Sequence, residues 1–141
     1  MPLEDFYNKN FLSNSEEETL SIAKSFGREL EGREIILLEG ELGAGKTIFV
    51  KGLAEGAGVE NPDEVNSPSF TILNIYHGKF PIYHFDLYRV EDDPEIEISD
   101  FIGEGVVVIE WPDRLRERLE GISIKIEIID ETKRRIKISL I

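Results

Sequence analysis

Apolar and polar positions recur with two different periods along the chain, and together they predict an α/β fold. Short, almost unbroken apolar runs at residues 34–38 and 106–109 are typical of strands buried on both faces of a parallel sheet. Apolar residues at helical spacing follow Ser15, which forms a predicted capping box with Glu18. Residues 47–57 contain no proline and predict a second helix. We therefore expect a central, mainly parallel sheet flanked by helices.

Two pairs of segments predict antiparallel hairpins at the edges of that sheet. Residues 70–76 and 80–88 are rich in β-branched and aromatic residues, and a His-Gly-Lys turn separates them. Residues 122–128 alternate strictly between apolar and polar, and residues 135–140 do so again after a turn. Such alternation indicates strands with one face on the core and the other in water.

Two shorter helices are predicted in the second half of the chain. One covers residues 91–101, with Pro94 near its first turn, and the other covers residues 112–119. No repeat, low-complexity tract or long linker interrupts the 141 residues. We therefore expect a single domain over residues 1–141.

The segment between the first apolar run and the helix that follows it matches G-x-x-x-x-G-K-[ST] at every position. It consists of Gly40, Glu41, Leu42, Gly43, Ala44, Gly45, Lys46 and Thr47. Glycines let successive backbone N–H groups turn inward around an anion, and the N-terminus of the next helix adds partial positive charge. A glycine-rich turn that binds nothing would need no lysine followed by threonine.

This motif predicts a P-loop NTPase fold in which residues 40–48 bind a nucleoside triphosphate, Ile48 included. Lys46 would reach the β- and γ-phosphates and take part in catalysis, and the Thr47 hydroxyl would bind Mg²⁺.

Two acids in the predicted strands are candidates for metal binding and catalysis. Glu110 ends the apolar run at 106–109, and ligands of open α/β sheets lie at the carboxyl ends of the strands, so we expect it to bind Mg²⁺ or its waters. Asp86 stands among apolar residues, where it would hold Mg²⁺ through water or orient the attacking water. The alternatives are that Glu110 merely ends a strand and that Asp86 pairs with Arg89.

Hydroxyl side chains recur between the second predicted helix and the first hairpin. In P-loop switch enzymes this position holds a segment that senses the γ-phosphate. Ser67, Ser69 and Thr71 are therefore candidate switch residues that would contact Mg²⁺ or the γ-phosphate. A proline-containing turn that leads into a strand is the alternative interpretation, and the sequence on its own favours it.

Composition and charge restrict the classes of function. With 29 acids against 16 bases and a net charge of −13, direct and stable RNA or DNA binding is disfavoured. The acidity suits a basic protein partner or solubility alone. The chain has no cysteine, and His77 and His84 are interpreted as structural because two histidines make a poor metal site. No membrane span and no signal peptide are predicted, so we expect a cytoplasmic protein.

The motifs found elsewhere in the chain indicate which nucleotide the P-loop binds and which reaction it serves. The guanine-reading motif N-K-x-D does not occur downstream, which favours ATP, and a minimal ATPase coupled to something larger is the best interpretation. One alternative is a small-molecule kinase with Arg114, Arg116 and Arg118 as its lid, although acids interleave with these arginines as on a solvated face. Another is a non-catalytic ATP sensor whose partner reads its nucleotide state.

Four short blocks stand in a fixed order along the chain. They are Gly40 to Thr47, Ser67-Pro68-Ser69-Phe70-Thr71, His84-Phe85-Asp86-Leu87-Tyr88-Arg89 and Ile109-Glu110-Trp111-Pro112. Together they resemble the TsaE (formerly YjeE) family of bacterial P-loop ATPases. The resemblance spans residues 40–112, and Ser69 stands where the family usually has threonine.

This resemblance implies a role in making threonylcarbamoyladenosine, the modified base next to the anticodon of tRNAs that read codons beginning with A. It implies that the protein acts on a complex of the transferase TsaD with TsaB, that its ATPase activity supports repeated turnovers, and that tRNA is contacted only through that complex. It also implies that Lys46 and Thr47 hold phosphate and Mg²⁺, that Glu110 is the carboxylate on the Mg²⁺ side and Asp86 an active-site acid, and that residues 67–71 are the switch.

Overall fold

The computed structural model describes residues 2–68, 71–90 and 95–141, with the backbone alone for residues 95–97. Its strands are β1 (Lys9–Ser13), β2 (Ile35–Gly40), β3 (Leu73–His77), β4 (Pro81–Asp86), β5 (Val106–Glu110), β6 (Ile122–Ile128) and β7 (Arg134–Leu140). Its α-helices are α1 (Glu16–Arg28), α2 (Lys46–Gly56) and α3 (Glu95–Phe101). Within the described residues these strands form one seven-stranded sheet in the order β1-β7-β6-β2-β5-β4-β3.

The centre of this sheet is parallel. Strand β2 pairs with β5 on one side and with β6 on the other, and β5 pairs in turn with β4, all in parallel. Every residue of β5 is buried, as its apolar run predicts for a central strand. The predicted fold class, an α/β fold with parallel central strands and antiparallel hairpins beside them, is confirmed.

Both predicted hairpins are present, but the second does not lie at an edge. Strands β3 and β4 pair antiparallel, and so do β6 and β7. Strand β7 also pairs with β1, which therefore forms the edge beyond the hairpin. The sequence pattern does not predict β1, because most of its side chains are exposed and it lacks an apolar run.

Helices α1 and α2 pack together against one face of the sheet. Ser15 caps α1 as predicted, since its Oγ accepts a hydrogen bond from the Glu18 N–H at 3.1 Å. The Glu18 carboxylate reaches back to the Asn14 N–H at 2.6 Å, one residue before the cap. A Cβ atom at Gly27 would lie 2.2 Å from the Leu53 carbonyl oxygen, so glycine is what lets the two helices approach this closely. The resulting core stretches from α1 and α2 to β6 and β7.

The other face of the sheet carries a smaller apolar cluster beside α3. Phe85 of β4 and Leu87, just after that strand, pack there with Ile98 of α3 and Ile109 of β5. The predicted start of this helix at residues 91–94 lies outside the described residues. No helix in the described part of the chain is long and apolar enough to cross a bilayer.

The predicted helix over residues 112–119 is wrong. Pro112–Arg114 forms a single 3₁₀ turn, and Leu115 already has extended backbone angles (φ −70°, ψ 141°). Leu115 and Leu119 instead pack onto the smaller apolar cluster as an irregular segment. The contacts of these two partly buried leucines thus override the helical preference of the arginine and glutamate residues between them.

Candidate functional site

The segment 40–47 joins β2 to α2 and curls around the N-terminus of that helix. Gly43 and Gly45 have positive φ angles of 84° and 101°, a conformation that favours glycine. Gly45 occupies the N-cap position of α2 and brings no side chain that could cap the helix. The first-turn N–H groups of α2 are therefore left for a ligand, which is the arrangement of an anion site.

The Lys46 side chain is folded back over this loop. Its Nζ donates to the Gly40 carbonyl oxygen at 2.6 Å and lies 3.8 Å from the centroid of the Trp111 ring. Burial lowers the pKa of Lys46, while nearby carboxylates, Glu110 foremost, act in the opposite direction. The ammonium is thus largely removed from water, where its attraction for an anion is stronger than at the surface.

Trp111 is placed over Lys46 by an unusual backbone conformation. Its φ of 59° and ψ of 53° lie in the left-handed region, which costs a non-glycine residue about 1–3 kcal/mol. The indole also contacts the Tyr88 ring, with centroids 4.8 Å apart. The chain therefore leaves β5 in a sharp turn that puts the indole across the mouth of the site.

Glu110 and Asp86 lie side by side at the carboxyl ends of adjacent parallel strands. Asp86 ends β4, Glu110 ends β5, and the two residues are partners in the pairing register. Both are nearly inaccessible, with 4% and 2% of their surfaces exposed. The carboxyl edge of the sheet thus concentrates two buried acids near the glycine loop, as expected for an α/β ligand site.

A cavity of about 310 Å³ unites predicted residues from four separate parts of the sequence. Those that line it are Leu42, Gly43, Gly45, Lys46, Thr47, Ile48, Ser67, Asp86 and Glu110. The Glu110 carboxylate therefore lies on the same side of the sheet as the loop. Other predicted residues lie elsewhere: Gly40 and Glu41 line a separate cavity, and the nearly buried Ala44 faces a third one.

The predicted switch residues divide into three cases. The Ser67 hydroxyl donates to Asp86 Oδ2 at 3.2 Å and lines the cavity. Thr71 is exposed and donates to Asn74 Oδ1 at 3.0 Å, away from the cavity. Ser69 lies outside the described residues. Asp86 accepts a further hydrogen bond, through Oδ1, from the Tyr88 N–H at 2.9 Å.

His84 has the buried, fully partnered ring that its interpretation as a structural histidine predicts, but one of its partners is the candidate acid Glu110. Its Nε2 lies 2.5 Å from Glu110 Oε2, and its Nδ1 lies 3.0 Å from the Tyr76 hydroxyl. The ring is fully buried. Period-two alternation along β4 puts His84 on the same face as Asp86, and this signal could have brought it into the predicted site.

Arg134 is a second residue that the sequence does not single out. From the start of β7 its Nε donates to the Ala44 carbonyl oxygen at 3.1 Å and its Nη2 to that of Gly43 at 3.2 Å. Its Nη1 donates to the Asp130 carbonyl oxygen at 2.7 Å. The guanidinium therefore ties the glycine loop to the turn between β6 and β7.

A second cavity of about 360 Å³ adjoins the first on the far side of the loop. It lies between the N-terminus of α1 and the β6–β7 turn, with Ser15 on one wall and Thr132 and Arg134 on the other. Gly43, Gly45 and Ile48 line both cavities. A ligand larger than a phosphate chain can therefore extend from one into the other.

The donor set is suited to Mg²⁺ rather than to a metal held by protein alone. Among the described residues no group of three or more His, Asp or Glu side chains is arranged to hold an ion. Mg²⁺ at phosphate sites typically uses one or two carboxylates, with water and phosphate oxygens completing its shell. The Thr47 hydroxyl and the acids Glu110 and Asp86, which line one cavity, fit that requirement.

The arginines of the alternative kinase lid do not share one surface. The Arg114 guanidinium lies 5.7 Å from the centroid of the Tyr88 ring. Arg116 and Arg118 line another cavity, of about 300 Å³, on the open face of the sheet. Since the segment is not helical, nothing aligns the three side chains over the loop.

Comparison with known proteins supports one assignment. Residues 13–137 match the family model of the threonylcarbamoyl adenosine biosynthesis protein TsaE. The tRNA threonylcarbamoyladenosine biosynthesis protein TsaE of Aquifex aeolicus is 45% identical over 131 residues, which cover 92% of this chain and 95% of that one. The protein of the same name from Bacillus subtilis is 43% identical over 125 residues, which cover 85% and 78%.

Solved structures agree with this. The crystal structure of YdiB from Bacillus subtilis superposes with a TM-score of 0.73 at 34% identity, over 91% of this chain and 82% of that one. This structural match confirms the P-loop α/β fold that the sequence predicts. On the family match and these relatives, the chain belongs to the TsaE family of proteins of tRNA threonylcarbamoyladenosine biosynthesis.

Proposed function

We propose that this protein is a Mg²⁺-dependent ATPase that supports threonylcarbamoyl modification of the adenosine next to the tRNA anticodon by acting on a TsaD–TsaB complex. One observation carries the proposal. Two buried acids on adjacent parallel strands, Asp86 and Glu110, open into the same cavity as Lys46 and Thr47. A phosphate loop and metal-binding carboxylates in one cavity are the shared parts of enzymes that transfer a phosphoryl group.

The triphosphate is proposed to lie along the loop. The first-turn N–H groups of α2 would bind its β-phosphate, and Lys46 would exchange the Gly40 carbonyl for phosphate oxygens. Because Lys46 is buried, this exchange places its charge against the phosphates in a medium that screens it little.

The nucleoside is proposed to occupy the cavity between the N-terminus of α1 and the β6–β7 turn. This cavity shares Gly43, Gly45 and Ile48 with the phosphate cavity, so the two parts of one nucleotide fit side by side. Arg134 would hold the loop in shape from the same side. The absence of N-K-x-D downstream of the loop supports ATP over GTP.

Mg²⁺, when bound, would neutralise charge on the β- and γ-phosphates. The Thr47 hydroxyl and the Glu110 carboxylate are the proposed ligands, with Asp86 as a further ligand through water. Asp86 would also orient the attacking water, since Ser67 and the Tyr88 N–H fix its two oxygens in place. Lys46 would offset the negative charge of the transition state.

Hydrolysis is proposed to act on the partner through the segment that begins at Asn66. Ser67 contacts the proposed catalytic acid Asp86, and both Ser67 and Asn66 are exposed, so a change at the γ-phosphate can alter the surface that these two residues present. The net charge of −13 supports contact with a protein complex rather than with tRNA directly.

The test is ATP hydrolysis measured with and without TsaD and TsaB. We expect slow phosphate release by the isolated chain, acceleration by the complex, and loss of both in EDTA. Tight ATP binding without phosphate release in a single-turnover assay, even with both partners present, would replace this proposal with a nucleotide sensor. Phosphorylation of a small metabolite would replace it with a kinase.

A further inference from the structure

A buried chain of polar groups runs from Glu110 away from the cavity. Glu110 Oε2 lies 2.5 Å from His84 Nε2, His84 Nδ1 lies 3.0 Å from the Tyr76 hydroxyl, and that hydroxyl lies 3.1 Å from the carbonyl oxygen of Asn66. Glu110, His84 and Tyr76 are between 0% and 3% exposed. The polar chain thus connects the end of β5, through β4 and β3, to the residue before Ser67.

The other end of this polar chain returns to the site. Ser67 follows Asn66 directly and donates to Asp86 Oδ2 at 3.2 Å. Asp86 in turn is the register partner of Glu110 on the neighbouring strand. The hydrogen bonds therefore link Glu110 through His84, Tyr76 and the Asn66–Ser67 backbone to Asp86. The strand register, which sets Asp86 beside Glu110, completes a ring that includes both candidate metal-binding acids.

The Tyr76 hydroxyl is the element of this ring that has two arrangements. Burial raises the pKa of Tyr76, so the hydroxyl keeps its hydrogen at neutral pH. One hydrogen cannot be donated to two acceptors, and both the Asn66 carbonyl and His84 Nδ1 are within range. The hydroxyl therefore lies between a side chain of β4 and the backbone of Asn66, and a displacement of either partner changes its contact with the other.

A purely structural role is a poor account of this placement. Burying this many polar groups brings little net stability, since apolar side chains of similar volume often serve a core as well. The neighbouring core positions on β2 and β5 are filled by such side chains, for example Ile36, Leu38 and Val108. A buried polar chain that ends on Glu110 indicates that the orientation of this carboxylate matters.

We propose that His84 and Tyr76 are positioning residues that couple the orientation of the Glu110 carboxylate to the segment Asn66–Pro68. When Mg²⁺ binds at Glu110, the change in the carboxylate's orientation shifts His84, then the Tyr76 hydroxyl, and then the backbone that carries Ser67. The segment thereby responds to the metal side of the site as well as to the γ-phosphate. This inference rests on the proposed function, because it assigns a regulatory path to the same site.

Two variants test the two steps of the coupling, from Glu110 to His84 and from Tyr76 to Asn66. Tyr76→Phe removes one oxygen and both of its hydrogen bonds while keeping the ring in the core. His84→Gln keeps a donor in reach of Glu110 and removes the contact to Tyr76. The matched controls are Tyr83→Phe, on the opposite face of β4 against Phe101, and His77→Gln at the exposed end of β3.

Each variant is assayed in three ways in the full chain. Trp111, the single tryptophan, reports Mg²⁺·nucleotide binding by fluorescence from its place over Lys46. Steady-state hydrolysis gives kcat and KM, and the ¹⁵N amide signal of Ser67 reports the segment with and without Mg²⁺·nucleotide. We expect Tyr76→Phe to lower kcat by about 10-fold with KM nearly unchanged, and to abolish the shift of the Ser67 signal. We expect His84→Gln to lose the same shift while retaining Mg²⁺ affinity.

The outcomes keep the two proposals apart. If the wild-type protein binds and hydrolyses ATP and Tyr76→Phe behaves like Tyr83→Phe in all three assays, the coupling is overturned and the proposed function stands. An unchanged Ser67 shift in His84→Gln overturns it as well, even if Tyr76→Phe fails to fold. If the wild-type protein neither binds nor hydrolyses ATP with its partners present, the proposed function fails, and the coupling falls with it.

Discussion

Lys46 is the residue whose surroundings explain most about the site. Its ammonium is held by the Gly40 carbonyl and by the face of Trp111, both of which are weaker partners than a phosphate. Desolvation lowers its pKa, and the acids beside it oppose that shift. The side chain is thus kept charged in a pocket largely closed to water and can be transferred to a ligand without moving far.

Replacing Lys46 by alanine should abolish most hydrolysis. We expect a loss of about 100-fold or more in phosphate release, because Lys46 is the only lysine or arginine among the described residues that line the cavity, and it offsets transition-state charge. Lys51→Ala is the matched control, since Lys51 lies on the same helix and pairs with exposed Asp63 instead. A rate for Lys46→Ala equal to that of Lys51→Ala would contradict the assigned chemistry.

Glu110→Gln should separate binding from turnover. Glutamine keeps the size of the side chain and can still contact His84, but it removes the negative charge that a metal ion needs. We expect kcat to fall by about 100-fold while the nucleotide Kd changes by much less. Glu104→Gln, at an exposed position ahead of β5, serves as control. Equal losses in kcat and affinity would remove the special role of Glu110.

At the scale of elements, the site depends on how the ends of four elements meet. The N-terminus of α2 carries the loop, the N-terminus of α1 forms one wall of the neighbouring cavity, and β4 and β5 deliver their acids to the same edge. Each terminus leaves backbone groups or side chains free of regular secondary structure, which is why ligand chemistry concentrates there. The register between β4 and β5 then sets the spacing of the acids.

The cap of α1 should contribute measurably to stability. Ser15→Ala removes the acceptor for the Glu18 N–H, and we expect the free energy of unfolding to fall by about 1 kcal/mol. Urea denaturation measures this change. Ser21→Ala, at an exposed position inside the same helix, should cost much less, since alanine favours the helix interior. Equal effects of the two substitutions would show that the cap is not what holds this end of α1.

At the scale of the whole molecule, the net charge restricts which partners the protein can bind. The net charge of −13 creates a field that repels nucleic acid and attracts basic protein surfaces. Some of the bases are paired with acids on the surface: Arg135 with Glu127, and Lys24 with Glu55. A protein that serves tRNA modification with such a surface is expected to reach the RNA through its partners.

The isolated chain should not bind tRNA appreciably at physiological salt. Fluorescence anisotropy with labelled tRNA measures this directly, first with the chain alone and then with TsaD and TsaB added. We expect a signal only in the presence of the complex. Micromolar binding by the chain alone, weakening steeply as salt is raised, would show that its bases form a nucleic-acid surface after all.

Much of the site is contained in short stretches of the sequence. The loop from Gly40 to Thr47 is contiguous, and its glycine positions follow from backbone angles that are local. The position of Glu110 follows from the apolar run before it. A strand buried on both faces lies in the interior of the sheet, and the acid that ends it lies at the carboxyl end of that strand. Such features need no information about distant partners, so the fold class and the core of the site could be predicted.

Other features depend on contacts between residues far apart in the chain. Arg134 meets the loop across 90 residues of sequence, and His84 meets Glu110 across 26. Strand β1 exists because the edge of β7 pairs with it, and residues 112–119 avoid a helix because Leu115 and Leu119 find apolar surface nearby. Local pattern supplies the elements and their chemistry, whereas hydrogen-bond partners and burial are settled only when the chain has folded back on itself.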